Sequence, residues 1–129
     1  MLFGFAPLLF SSQIDPGSPY LFLVFEGSDW CSNCRQLEKE VLSQEGFATF
    51  LEEHNIQLQK VDFPQRKKLS KEEKKANEQL AERYGFQGTF PTMFLSRSDT
   101  LQYVQMTYDR QSSDELQAEI NQLIPELQP

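Results

Sequence analysis

The stretch Tyr20-Leu21-Phe22-Leu23-Val24-Phe25-Glu26-Gly27-Ser28-Asp29-Trp30-Cys31-Ser32-Asn33-Cys34 decides how this chain is read. Its first six residues are a nearly continuous apolar run, the pattern of a strand buried on both faces at a sheet centre. Gly27-Ser28-Asp29-Trp30 breaks the run. From Cys31 to about Leu42 apolar residues return at helical spacing, with Cys34, Leu37, Val41 and Leu42 on one face and Arg35, Glu38, Lys39 and Glu40 outside. The two cysteines of the 129-residue chain thus stand at a strand-to-helix junction, three residues apart.

A disulfide across so short a separation closes a very small loop and adds little stability through chain entropy. Redox chemistry or metal binding is the stronger reading. A structural zinc site needs four ligands. Here there is no second cysteine pair, and the sole histidine, His54, lies far along the chain beside Asn55. A metal site would need a second subunit, so no metal and no cofactor are expected, and His54 reads as a surface residue near a helix end.

An attacking thiol must be partly thiolate, and a free cysteine has a pKa of about 8.5. The unpaired N–H groups and dipole of a helix N-terminus favour the negative charge. Cys31, at the helix start, reads as the exposed attacking thiol, and Cys34, one turn on, as the buried thiol that resolves the mixed disulfide. Trp30, the only tryptophan, precedes the pair and offers a flat surface that shields the sulfurs and meets substrate.

Outward from this centre, the chain is long enough for one domain with a real core and too short for two. It divides into an N-terminal apolar segment and turn, residues 1–19, and a core, residues 20–129. Met1 to Phe10 is apolar but lacks a basic leading region and is shorter than a membrane span, so it reads as a segment packed on the domain in preference to a truncated export signal. Asp15-Pro16-Gly17-Ser18-Pro19 is a turn cluster. The net charge of −7 argues against a nucleic-acid partner. Eleven phenylalanines require a largely aromatic core and leave ring surface for binding.

Downstream, Phe47 to His54 is helical, and Ile56 to Asp62 reads as a strand with Ile56, Leu58 and Val61 inward. Ser70 with Glu73 forms a capping box for a helix that runs to Tyr84 and closes at Gly85. Arg66, Lys67, Lys68 and Lys71 suggest a basic docking patch, although the adjoining Glu72 and Glu73 favour an ordinary solvated helix face. Met93-Phe94-Leu95 and Leu101 to Met106 flank a hairpin turn, and Ser112 or Ser113 caps a final helix. A parallel βαβ unit followed by an antiparallel hairpin and a helix is an α/β three-layer sandwich with a central mixed sheet.

Strand, Trp-Cys-X-X-Cys, helix, and then Phe90-Pro91-Thr92 before a later strand resembles the thioredoxin superfamily. Gly27 to Cys31, Leu37-Glu38-Lys39-Glu40-Val41, Val61-Asp62-Phe63-Pro64 and Ala81-Glu82-Arg83-Tyr84-Gly85 narrow this to a bacterial branch of thioredoxin-like proteins. The similarity runs from about Leu21 to Leu95. It implies a thioredoxin-like fold and a protein thiol–disulfide oxidoreductase working through Cys31 and Cys34 on disulfide-containing protein substrates. It further implies a reductant of the periplasm or cell envelope, re-reduced by a membrane or soluble electron donor; a cytoplasmic monomer is the alternative to an exported one, and a monomer is expected in either case. Pro91 corresponds to the superfamily's cis-proline beside the cysteines, with Phe90 before it, so both are expected to bind substrate. Taken alone, Pro91 reads equally as a trans proline opening a strand.

Three departures stand out. The superfamily's buried aspartate and its lysine partner correspond by register to Phe25 and Leu58, so that proton relay is expected to be missing; Glu26, on the opposite side of the strand, is a candidate proton acceptor or a partly exposed strand-end charge. Ser32-Asn33 replaces the usual Gly-Pro between the cysteines, and its side chains are expected to donate hydrogen bonds to the thiolate. Gly88-Thr89-Phe90-Pro91 holds one residue more than the common Gly-X-Pro loop. Within the same chemistry an oxidase or isomerase is the alternative, and outside it a non-catalytic binding module using Trp30, Phe86 and Phe90 as an apolar patch.

Overall fold

The computed structural model describes residues 19–127; the apolar start and most of the Asp15–Pro19 turn cluster lie outside the described residues. The apolar run forms β1 (Tyr20–Glu26), in which every residue is buried. It lies inside a four-stranded sheet of order β2-β1-β3-β4, parallel to β2 (Ile56–Asp62) and antiparallel to β3 (Thr92–Arg97), which pairs in turn with β4 (Tyr103–Thr107). A strand with neighbours on both edges and cover on both faces has no position for a solvated side chain, which explains the missing alternation.

Side chains leave β1 alternately. Tyr20, Phe22 and Val24 join a core with Leu37, Val41, Phe47, Leu116 and Ile120. Leu21, Leu23 and Phe25 join a second core with Val61, Tyr84 and Phe94. Phe22, Phe25, Phe47 and Phe94 are completely buried, each contributing about 1.5–3 kcal/mol of transfer free energy. On β2, Ile56, Leu58 and Val61 are inward as expected, with Ile56 and Leu58 on the first core and Val61 on the second, because side chains on a strand alternate.

The helix after the cysteines is α1 (Ser32–Leu37), continued by a π-helical turn, Glu38–Leu42. That turn closes with Ser43 N–H donating to the Glu38 carbonyl at 2.9 Å, and it keeps Val41 and Leu42 buried. α2 (Glu45–Glu53) and α4 (Ser113–Leu123) complete this layer. α3 (Lys71–Arg83) covers the other face through the half-buried Leu80 and Ala81. The capping box at Ser70/Glu73 forms as expected, Gly85 takes φ +63° beyond the end of α3, and Ser112 rather than Ser113 caps α4, with Glu115. The result is the α/β/α sandwich with a mixed sheet. Among the described residues no helix is long and apolar enough to cross a membrane.

Candidate active site

The end of β1 and the start of α1 bring Cys31 and Cys34 together as a disulfide. Cys31 is the N-cap of α1, its sulfur accepting the Cys34 N–H at 3.1 Å. The Cys34 sulfur accepts the Gly27 N–H at 3.4 Å. Both donors are backbone groups, and the Ser32 and Asn33 side chains that were expected to serve the thiolate are exposed. The helix cap turns the Cys34 N–H towards the Cys31 sulfur, and the chain leaving β1 brings the Gly27 N–H to the Cys34 sulfur. The expected contrast in exposure is also smaller than foreseen, with Cys31 only 7% exposed against 1% for Cys34.

Trp30 stands over the junction, half-buried. Its indole Nε1 donates to the Phe63 carbonyl at 2.8 Å, and its ring meets Phe90 edge-on with centroids 5.1 Å apart. Phe90 also contacts Phe63 (5.7 Å) and Phe86 (5.1 Å). Phe86 stacks on Phe25 at 4.5 Å, linking this surface to the second core. The Phe90–Pro91 peptide bond is cis, and Pro91 is buried at the start of β3. Trp30, which precedes Cys31, and Phe90, which precedes Pro91, thus share one aromatic cluster with Phe63 and Phe86. Gly27 permits it, since a Cβ there would collide with the Trp30 indole.

Behind the disulfide lies a cavity of about 220 Å³ lined by Glu26, Ser28, Cys34, Arg35, Glu38 and Lys60. Glu26 is 7% exposed, and burial raises its pKa. Lys60 opposes that rise, while Asp62 and Glu38 add to it. Lys60 forms an ion pair with Glu38. The Phe25/Leu58 correspondence is corrected here. Phe25 lies opposite Val61 in the parallel register, and Leu58 lies opposite Phe22 on the other face. Phe25 is still enclosed by apolar groups, but the titratable groups that share the cavity with Cys34 are Glu26, Arg35, Glu38 and Lys60.

Several supporting residues escaped the sequence reading. Ser28 donates to the Asp62 carboxylate through its N–H (2.8 Å) and its hydroxyl (2.6 Å). Asp29 accepts the N–H groups of Gln65 and Arg66 at 2.9 Å and of Lys67 at 3.0 Å, which hold its carboxyl below the usual range. An aspartate two positions before the first cysteine was visible in the sequence, but its partners are 36 to 38 residues away. His54 Nδ1–H donates to the Phe50 carbonyl (2.9 Å) at the C-terminal end of α2. No metal-binding cluster exists among the described residues.

A disulfide at a strand-to-helix cap, under an aromatic lip on an α/β/α sandwich, defines a thioredoxin-like domain; that family's pattern matches residues 12–123, and the chain belongs to it. Among characterised proteins it is similar to the disulfide bond reductase DsbH of Chlamydia pneumoniae, with 30% identity over 87 residues, which are 67% of this chain and 51% of that protein. The chain thus spans about half the length of this relative. Among solved structures, a DsbH oxidoreductase superposes with a TM-score of 0.75 at 23% identity, covering 84% of this chain and 74% of that one. A thioredoxin from Thermus thermophilus gives 0.53 at 22% identity, covering 81% and 72%.

Proposed function

We propose that the protein is a thiol–disulfide oxidoreductase that reduces disulfides in protein substrates through Cys31 and Cys34. The carrying observation is the Cys31–Cys34 disulfide at the helix cap, with the Trp30–Phe90 surface on one side and the Glu26 cavity behind.

In the dithiol form, the Cys31 thiolate attacks one sulfur of a substrate disulfide, forming a mixed disulfide and releasing the other sulfur as a thiolate. The Cys34 thiol passes its proton towards the Glu26 carboxylate across the shared cavity. The Cys34 thiolate then attacks the Cys31 sulfur and expels the second substrate thiolate. Two electrons have moved to the substrate, and the protein is left with its own disulfide. A dithiol donor restores the pair by the reverse sequence. Trp30, Phe90 and Pro91 form the wall against which an extended substrate segment lies. Glu26 suits the acceptor's part because its raised pKa brings it closer to that of a thiol. We assign its work to the cell envelope, served by a membrane or soluble donor.

The test is direct. Cys31→Ser abolishes reduction of a protein disulfide, and Cys34→Ser accumulates mixed disulfides visible on non-reducing gels. A Cys34→Ser protein that traps no partner under oxidising conditions refutes the reading. A reduction potential near −270 mV marks a reductant and one near −120 mV an oxidant.

A further inference from the structure

We propose that residues 64–74 form a docking rim that recognises an acidic, extended segment of the partner beside the disulfide it presents. The proposal rests on the redox reading for the partner's disulfide but on separate residues for its recognition.

Three observations carry it. First, the segment is fastened to the active site. Asp29, two residues before Cys31, accepts the N–H groups of Gln65, Arg66 and Lys67, and the Trp30 indole donates to the carbonyl of Phe63 just before the segment begins. Backbone held by its N–H groups leaves its side chains outward. Second, in a chain of net charge −7 this short stretch concentrates Arg66, Lys67, Lys68, Lys71 and Lys74, all exposed. Only Lys67 has an acidic side chain in ion-pair range among the described residues, Asp62 at 3.3 Å. Glu72 and Glu73 lie in the same stretch, the latter held on the Ser70 N–H by the capping box, so residues 64–74 carry five cationic side chains against two carboxylates and stay net positive. Third, a cavity of about 340 Å³ opens within the strip, with Phe63, Pro64 and Leu69 as its apolar lining, Lys67, Lys68 and Lys74 as its cationic groups, and Glu78 as the one carboxylate in its wall.

A partly apolar cavity whose margin carries three lysines against one carboxylate fits a chain that alternates carboxylates with an occasional apolar side chain. The overall negative charge works against an anionic membrane surface, which meets the whole molecule, whereas a peptide meets only the rim. Exposed pairs contribute little each, so the expected effect is selectivity and association rate rather than high affinity.

The experiment uses two fluorescein-labelled peptides carrying the same mixed disulfide, one rich in Glu and the other with Gln at each of those positions. Disulfide-free versions serve for binding to the oxidised protein by anisotropy. Wild type is expected to exchange with the Glu peptide about tenfold faster than with its Gln counterpart at low salt, and to bind it preferentially. The advantage shrinks as ionic strength rises. Replacement of Arg66, Lys68 and Lys74 by Ser brings the two peptides to equal rates and equal binding. Equal treatment of the peptides by wild type, or undiminished Glu preference in the triple variant, overturns the rim. So does sedimentation of wild type with vesicles of equal parts phosphatidylcholine and phosphatidylglycerol without any Glu preference, which assigns the strip to lipid. Failure of exchange with both peptides while binding preference persists upholds the rim and counts against the redox reading instead.

Discussion

At the scale of single residues, Glu26 is where the proposed chemistry would meet stability. Its carboxyl is buried beside Cys34, with its pKa raised first by that burial. The folded state therefore holds the proton more tightly than the unfolded chain. The favourable contribution is complete below the unfolded carboxylate value and is lost as pH rises through the folded one. Glu26→Gln should melt at a higher temperature than wild type near neutral pH, with the gap closing towards acid, as calorimetry across pH would read. The same variant should slow resolution of the mixed disulfide about a hundredfold, measured by rapid quench. Gly27 is the opposite case, a residue with no chemistry of its own. Gly27→Ala forces the Trp30 indole aside and should cost about 1–3 kcal/mol in denaturant titration, and it should weaken substrate exchange.

At the scale of elements, local signals were legible wherever the deciding contacts are local. Ser70 and Glu73 announce the start of α3 because the reciprocal bonds of a capping box join residues three apart. Ser70→Ala should cost about 1 kcal/mol, measurable as a shift in urea midpoint. α3 also anchors to the sheet through the Asn77 side chain, which donates to the Asp62 carbonyl at 2.7 Å, so fraying there is expected to raise hydrogen exchange near the Ser28–Asp62 contact. The π-helical turn Glu38–Leu42 was not legible. Helical spacing identifies the face a segment buries, whereas one extra residue in a turn is settled by what that face packs against.

At the scale of the whole molecule, the redox state of one pair is coupled to global stability. For a reductant, the disulfide must be more stable in the folded protein than in an unfolded chain, so by the thermodynamic cycle the oxidised protein is the more stable form. The oxidised protein should therefore melt above the reduced one in paired calorimetric scans. The reverse order would mark an oxidant whose thiolate is strongly stabilised at the helix cap. Backbone donors at both sulfurs act in the thiolate's favour, and the two apolar cores around Phe25 and Phe47 set the rigidity against which either state is held.

By itself the sequence determined the buried central strand, the cysteine pair at the helix start, the capping box of α3 and the order of elements, while the cap of α4 was narrowed only to Ser112 or Ser113. Each rests on periodicity or on hydrogen bonds between residues close in the chain. Only the tertiary structure decided which residues face one another. Register placed Phe25 against Val61 rather than Leu58, and folding brought Lys60 to Glu26 and Cys34. It also carried Phe63 to Trp30, 33 residues apart, and Gln65 to Asp29. Alternation along a strand says which side a residue takes but not which neighbour it meets, because a parallel pairing is set by the crossover and by the packing of both faces together.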